Sequence, residues 1–198
     1  FPMKIIVVGH GMVGHKFLEE LYQLKLAHAE VSVLCEEPRP AYDRVHLSEF
    51  FAGKRAEDLS LVAPGFFEQT GFSLRLKARA SAIDRRNKTV TTADGEVLPY
   101  DKLVLATGSV PFVPPVRGND RPDCFVYRTI EDLEGMTECG ARSRSGVVVG
   151  GGLLGLECAK ALRDLGLETH VVEFAPRLMA VQVDEGGGGV LRSKIEAL

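Results

Sequence analysis

Ile5-Ile6-Val7-Val8-Gly9-His10-Gly11-Met12-Val13-Gly14 is the stretch that decides the fold. Four consecutive apolar residues read as a buried strand. From Gly14 to Leu26, Phe17, Leu18, Leu21 and Leu24 recur at helical spacing and predict a helix lying on a sheet. Val31-Ser32-Val33-Leu34 reads as a second strand, closed by Glu36 or, failing it, Glu37. Strand, glycine turn, helix, strand and a carboxylate about 20 residues on form the pattern of a dinucleotide-binding unit. Gly9 permits the tight turn, Gly11 lets the backbone approach a pyrophosphate, and Gly14 lets helix and strand pack closely. Main-chain N–H groups at the helix start, from Met12 on, then face the phosphates. The plain alternative is a glycine-rich turn with no ligand. The complete pattern favours the nucleotide.

The pattern occurs twice. Val147-Val148-Val149 leads into Gly150-Gly151-Gly152-Leu153-Leu154-Gly155, and Val171-Val172-Glu173 follows at the same spacing. Gly150, Gly152, Leu153, Gly155 and Glu173 are the expected contacts here. A carboxylate at Glu173 favours NADH, because it repels the 2′-phosphate of NADPH. Arg177 stands close by and keeps NADPH open. The two units are offset by about 140 residues, which means two related domains and not a repeat array. Two dinucleotides imply electrons passing between them. The second unit carries only two strands and their helices, fewer than a full dinucleotide fold. The expectation is therefore an α/β protein with a truncated second half.

The 198 residues are 45% hydrophobic and 26% charged, with net charge −3, so neither nucleic acid nor membrane is an expected partner. No apolar run approaches the roughly 20 residues of a membrane-spanning helix. No signal peptide is legible, and Phe1-Pro2 reads as a remnant ahead of a natural start at Met3-Lys4. Cys35, Cys124, Cys139 and Cys158 are scattered, which fits a reducing, cytoplasmic setting and excludes a local zinc or iron–sulfur motif. His10, His15, His28, His46 and His170 share no ligand spacing; each reads as a surface or satisfied interior residue. No metal is expected.

Between the fingerprints, Pro38-Arg39-Pro40 breaks regularity, and Asp43 to Lys54 reads as a loop followed by a short helix. Ser73–Pro99 reads as a small antiparallel layer. Leu74-Arg75-Leu76 and Ala80-Ser81-Ala82-Ile83 alternate, and Lys88–Thr92 meets Val97-Leu98 across Ala93-Asp94-Gly95-Glu96. Leu103-Val104-Leu105-Ala106 reads as a buried strand ending at Thr107-Gly108-Ser109. Pro111, Pro114, Pro115 and Gly118 mark a junction, placed between residues 115 and 116. Thr129-Ile130-Glu131-Asp132 is a helix-opening cap. Asp184 to Leu198 reads as a helix interrupted early by Gly186 to Gly189.

The first fingerprint, Tyr100-Asp101-Lys102-Leu103-Val104-Leu105-Ala106-Thr107-Gly108-Ser109, the proline run to Gly118, and the second fingerprint with Glu157 together resemble the two-dinucleotide flavoprotein oxidoreductases of disulfide-reductase type. The resemblance spans essentially the whole chain. It implies a doubly wound Rossmann-like FAD domain over residues 1–115, with the antiparallel layer as an insertion. The first part of a Rossmann-like NAD domain would follow over residues 116–198. Ala106, Thr107 and Gly108 would approach the flavin. A narrower likeness is to the large-subunit family of NAD(P)H-dependent nitrite reductases. Cys35–Ser48, Asp123–Leu133 and His170–Pro176 carry it. That family reduces nitrite to ammonia in nitrate assimilation, at a sirohaem and a 4Fe-4S cluster much further along its chain.

By the same resemblance, Arg44 sits beside the flavin nucleotide's phosphates, Arg128 contacts FAD, and Ala80 or Ser81 gives a backbone contact to adenine. Glu157, taken as lying in the first turn of the second nucleotide helix, contacts the nicotinamide. The plainer readings are a solvated loop cation, a surface salt bridge, an edge strand and an acid complementing the helix dipole. Two departures stand out. Glu49 occupies the position where related ferredoxin reductases have a lysine against the flavin, and no paired-cysteine motif is present, which argues against thiol–disulfide exchange. The family's last FAD-contacting segment, with its Gly-Asp pair, is also absent, so weak FAD retention is expected of these residues alone. Expected partners are small-molecule nucleotides and downstream redox domains or a small subunit, with a homodimer left open. Two rival readings remain. One is an NADH reductase serving rubredoxin, ferredoxin or a nitrate reductase; the other is a non-catalytic nucleotide sensor.

Overall fold

The computed structural model describes residues 1–198. In chain order its elements are β1 (Met3–Val8), α1 (Met12–Gln23), β2 (Ala29–Leu34), α2 (Ser48–Phe51), a 3-10 turn (Ala56–Leu59), α3 (Phe66–Thr70) and β3 (Ser73–Arg75). Then come β4 (Ala80–Asp84), β5 (Thr89–Thr92), β6 (Val97–Pro99), β7 (Lys102–Leu105), α4 (Ile130–Gly140), β8 (Ser145–Val149), α5 (Leu153–Asp164), β9 (Glu168–Val172) and α6 (Glu185–Glu196). They form two compact units, Phe1–Val45 with Ala56–Val110, and His46–Arg55 with Pro111–Leu198. No helix is long and apolar enough to cross a membrane.

In the first unit four strands run parallel in the order β3-β2-β1-β7. Val7 lies between Val33 and Val104. Side chains alternate across a strand, so β1 serves two cores. Ile5 and Val7 pack with Leu18, Leu21, Val31 and Val33 under α1, while Ile6 and Val8 pack with Leu34 and Val90 on the other face. Burial on both faces explains why Ile5–Val8 is apolar throughout instead of alternating. The second face is covered by the antiparallel sheet β4-β5-β6, whose inward-facing Val90 and Thr92 are buried.

Four sequence expectations are corrected in this unit. Leu74-Arg75-Leu76 does not join the antiparallel layer; β3 pairs parallel to β2, with Leu74 beside Val33. Alternation over three residues fits either partner, and only the return of the chain past α3 decides. Leu24 does not extend the buried stripe of α1. It follows the last helical residue, is 67% exposed, and the buried face is Gly14, His15, Leu18 and Leu21. Strand β7 is an edge strand and not a buried one, with Leu105 59% exposed. Finally, His10 and His15 are interior but not satisfied: His10 Nε2 and both His15 ring nitrogens are buried without a hydrogen-bond partner.

In the second unit β8 and β9 pair parallel, with Val148 opposite Val171, and α5 packs on both strands and on α2. Helix α4 opens on a complete capping box. The Thr129 hydroxyl accepts the Asp132 N–H and the Asp132 carboxylate accepts the Thr129 N–H, as the sequence implies. Its buried face is Ile130, Leu133, Met136 and Gly140. Helix α6 is not interrupted at Gly186–Gly189. The Asp184 carboxylate accepts the Gly187 N–H and its carbonyl accepts the Gly188 N–H, which fixes the first turn despite the weak glycine propensity.

Candidate nucleotide sites

The two glycine turns are built alike. Gly9 donates its N–H to Leu34 O at 2.8 Å, and Gly150 donates to Val172 O at 2.8 Å. Each turn is thereby tied to the end of the second strand of its own unit. Both residues hold left-handed backbone, φ +104° and +117°. A β-carbon on Gly14 would stand 2.2 Å from Gly9 O, and one on Gly155 would stand 1.9 Å from Gly150 O. These four glycines are required by the protein itself.

Gly11 and Gly152 are different. Each has an ordinary extended backbone, and a β-carbon on either would meet nothing within 4 Å. Each is the N-cap of its helix, with no side-chain cap and no acid in the first turn. Bare amides at a helix start, in open space a side chain would fill, suit a pyrophosphate. The residues present therefore fit a dinucleotide in each unit. Met12 and Leu153, the first helical residues, are exposed beside these turns.

Around the first turn, Ala106 donates to Val8 O, and its own carbonyl lies 2.2 Å from where a Gly9 β-carbon would be. Thr107 and Gly108 follow, exposed at the mouth of the sheet. Glu36 stands at the end of β2, exposed, 3.6 Å from Arg79. Glu37 is committed elsewhere. It accepts the Tyr42 hydroxyl at 2.7 Å and pairs with Arg44, whose guanidinium lies 4.7 Å over the Tyr42 ring. Arg44 is thus held in a clamp and is not a solvated loop cation. The Ser81 hydroxyl donates to the Thr91 and Thr92 carbonyls at the bulge between β4 and β5, so its side chain serves the sheet.

His10 and His15 were not legible as site residues. The nearest signal is the spacing of His15 from Leu18 on the buried stripe of α1. His10 Nδ1 accepts the Ala41 N–H at 3.1 Å, and the two rings meet edge-on at 5.4 Å against Phe67 and Phe66. Burial, then the charge on His15, pushes the His10 pKa down to about 4. His10 therefore stays neutral and keeps accepting at neutral pH.

Around the second turn, Glu173 accepts the Ala175 N–H at 2.7 Å and the Gly151 N–H at 2.6 Å. Those two amides hold its carboxyl below the usual carboxylate range. Glu157 is the fifth residue of α5 and lies in the second turn, not the first, because the helix begins at Leu153. Beside it is a group the sequence did not reveal. The Tyr127 hydroxyl is buried without a partner, its ring stacked on Phe51, and burial followed by the charges of Glu157 and Cys158 drives its pKa up. Burial also pushes the Cys158 thiol up to about 11. The Arg128 N–H donates to Asp132 and joins the α4 cap. No cluster of three His, Cys, Asp or Glu side chains offers a metal site.

The family model for pyridine nucleotide-disulphide oxidoreductases matches residues 3–197. The chain belongs to that family. It is 53% identical over 197 residues to the nitrite reductase (NADH) large subunit of Escherichia coli (strain K12), covering 99% of this chain and 23% of the relative. It is 57% identical over 195 residues to the NAD(P)H nitrite reductase large subunit of Klebsiella oxytoca, covering 98% of this chain and 20% of the relative. The chain thus spans about a fifth to a quarter of these proteins. Among solved structures, an NAD-dependent persulfide reductase from A. fulgidus superposes with TM-score 0.91 at 25% identity, covering 98% of this chain and 38% of the other.

Proposed function

We propose that this family member is the electron-entry module of a nitrite-reducing enzyme, with FAD in the first unit and NADH in the second. The observation that carries the reading is the pair of open, uncapped turns at Gly11 and Gly152, in a chain more than half identical to nitrite reductase large subunits. Bound there, FAD would supply the acceptor for a hydride from NADH, chemistry that belongs to the cofactors. What the chain contributes is grip and orientation. Gly9, Gly11, Met12 and Gly14 hold the FAD pyrophosphate, Glu36 takes its ribose and Arg44 balances its phosphate charge. Ala80 or Ser81 offers main chain to adenine. Ala106, Thr107 and Gly108 complete that set. Gly150, Gly152, Leu153 and Gly155 hold the second pyrophosphate, Glu173 takes the ribose and disfavours a 2′-phosphate, and Glu157 orients the nicotinamide.

Electrons would leave for a sirohaem and 4Fe-4S centre further along the parent protein, where nitrite would be reduced, with downstream redox domains or a small subunit as partners. The test uses the full-length protein loaded with FAD. NADH is expected to bleach the flavin band and nitrite to restore it. Recovery with rubredoxin but not nitrite points to the other reductase class. FAD and NADH binding with no bleaching points to a nucleotide sensor.

A further inference from the structure

Arg177 stands four residues beyond Glu173, where the sequence offers it as a cation for a 2′-phosphate. The structure commits it elsewhere. Its Nε donates to Val183 O at 3.2 Å and its Nη2 to Ala180 O at 3.0 Å. Its aliphatic stem lies along α6 at Gly188, where a β-carbon would come within 3.0 to 3.4 Å of three of its carbons. The fork of the guanidinium suits two neighbouring carbonyls, which a lysine ammonium cannot match.

The turn so filled leads to the second nucleotide turn. Met179 holds left-handed backbone, φ +52°, and its carbonyl accepts the Gln182 and Val183 N–H groups at 2.8 and 3.0 Å. Its own N–H donates to Gly151 O at 2.9 Å. Leu178 lies against the same glycine, its Cδ2 2.5 Å from where a β-carbon would be. The Gly151 N–H in turn donates to Glu173. Both main-chain groups of the residue between Gly150 and Gly152 are therefore held by the loop that Arg177 fills. A non-glycine residue in left-handed backbone persists only where its surroundings over-determine it. Here the over-determining contacts are the Gly151 carbonyl on one side and the Arg177 fork on the other.

We propose that Arg177 is a positioning residue for the second nucleotide turn: it braces the Glu173–Val183 loop, which sets Gly151 and Glu173, and it does not bind a 2′-phosphate. This rests on the coenzyme reading of that turn given above. The brace acts on what NADH and NADPH share, so its loss weakens both alike.

The test measures NADH and NADPH binding to the full-length protein, its FAD already reduced so that no hydride is transferred, by coenzyme fluorescence. Wild type is compared with Arg177→Ala and Arg177→Lys, alongside hydrogen exchange at Gly151 and Met179. Both variants are expected to weaken the two coenzymes by the same factor, roughly tenfold, the weight of one or two hydrogen bonds. The Gly151 and Met179 amides should exchange faster while the unfolding temperature stays close to wild type. The lysine variant keeps charge and stem, so it remains informative if the alanine variant fails to fold. Loss of NADPH affinity alone, rescued by lysine, overturns the proposal in favour of a phosphate ligand. Unchanged affinity for both coenzymes also overturns it. A wild type that binds neither coenzyme overturns the coenzyme reading itself and, with it, the proposal.

Discussion

The carbonyl of Gly9 sits where a β-carbon on Gly14 would have to be, 2.2 Å away. Helix α1 can lie on its strand only because that side chain is absent, and Gly155 repeats the relation over Gly150 at 1.9 Å. Backbone cannot swing aside as a flexible side chain can. Gly14→Ala and Gly155→Ala are therefore expected to destabilise their units by about 3 kcal/mol or more. Gly11→Ala and Gly152→Ala have open space and ordinary backbone, so they should leave stability within about 1 kcal/mol while lowering nucleotide affinity. Denaturant unfolding together with FAD and NADH titration separates the two classes. Equal effects at all four positions would remove the case for a ligand at the open pair.

His10 makes the first unit acid-sensitive. Its folded pKa of about 4 lies below the unfolded value of about 6.5, so between those values the unfolded chain binds the extra proton. Stability is full above about pH 6.5, falls as pH drops toward 4 and levels below, a loss of up to about 3 kcal/mol. The groups facing it are His15, whose pKa burial also lowers, Glu19 3.8 Å from His15, the Ala41 N–H and Phe67. His10→Gln keeps an acceptor for Ala41 without a titrating ring. Urea midpoints from pH 7.5 to 4.5 should slope less steeply for the variant than for wild type, and equal slopes would assign the acid loss elsewhere.

The Tyr127 hydroxyl is buried beside Glu157 without a bond to show for it. Leaving a buried hydroxyl unpaired costs about 1 to 3 kcal/mol. Tyr127→Phe keeps the stack on Phe51 and removes that cost, so it should raise the unfolding temperature by a few degrees. A lower unfolding temperature would mean that the hydroxyl has found a partner in solution.

What the sequence disclosed follows from period and from glycine. Strand β1, helix α1 and strand β2 were legible because four consecutive apolar residues and one helical stripe leave a single arrangement, and the Thr129 cap because its chemistry is local. Strand β3 was not, since three residues fit either sheet. Leu24 misled because the helix stops before its last apolar residue. The four glycines of α6 looked like a break because propensity counts them singly, whereas the Asp184 cap sets the turn as a unit. The turns at Gly9 and Gly150 were legible as turns. So was the division among the first turn's glycines, Gly9 for the turn, Gly14 for the close approach and Gly11 for open space; how closely Ala106 crowds Gly9 was not, since that residue lies far along the chain. The partners of Arg177 were illegible for a related reason: they are main-chain carbonyls, which leave no mark in a sequence.

Helix α6 also offers a graded test of why those glycines are there. Each glycine in a helix interior costs about 1 kcal/mol relative to alanine. A β-carbon on Gly189 meets nothing within 4 Å, and one on Gly186 meets only Asp184 Oδ1 at 3.6 Å, an ordinary contact. Both alanine variants should therefore stabilise the second unit, by up to about 1 kcal/mol each. At Gly188 the Arg177 stem stands 3.0 Å from the new carbon, so the helical gain is offset by displacement of the side chain that fills the Ala180 and Val183 carbonyls. Gly188→Ala should bring no gain or a loss. Urea midpoints at constant slope measure all three. A stabilised Gly188→Ala would mean that Arg177 yields freely, and that the glycine there is not kept for its sake.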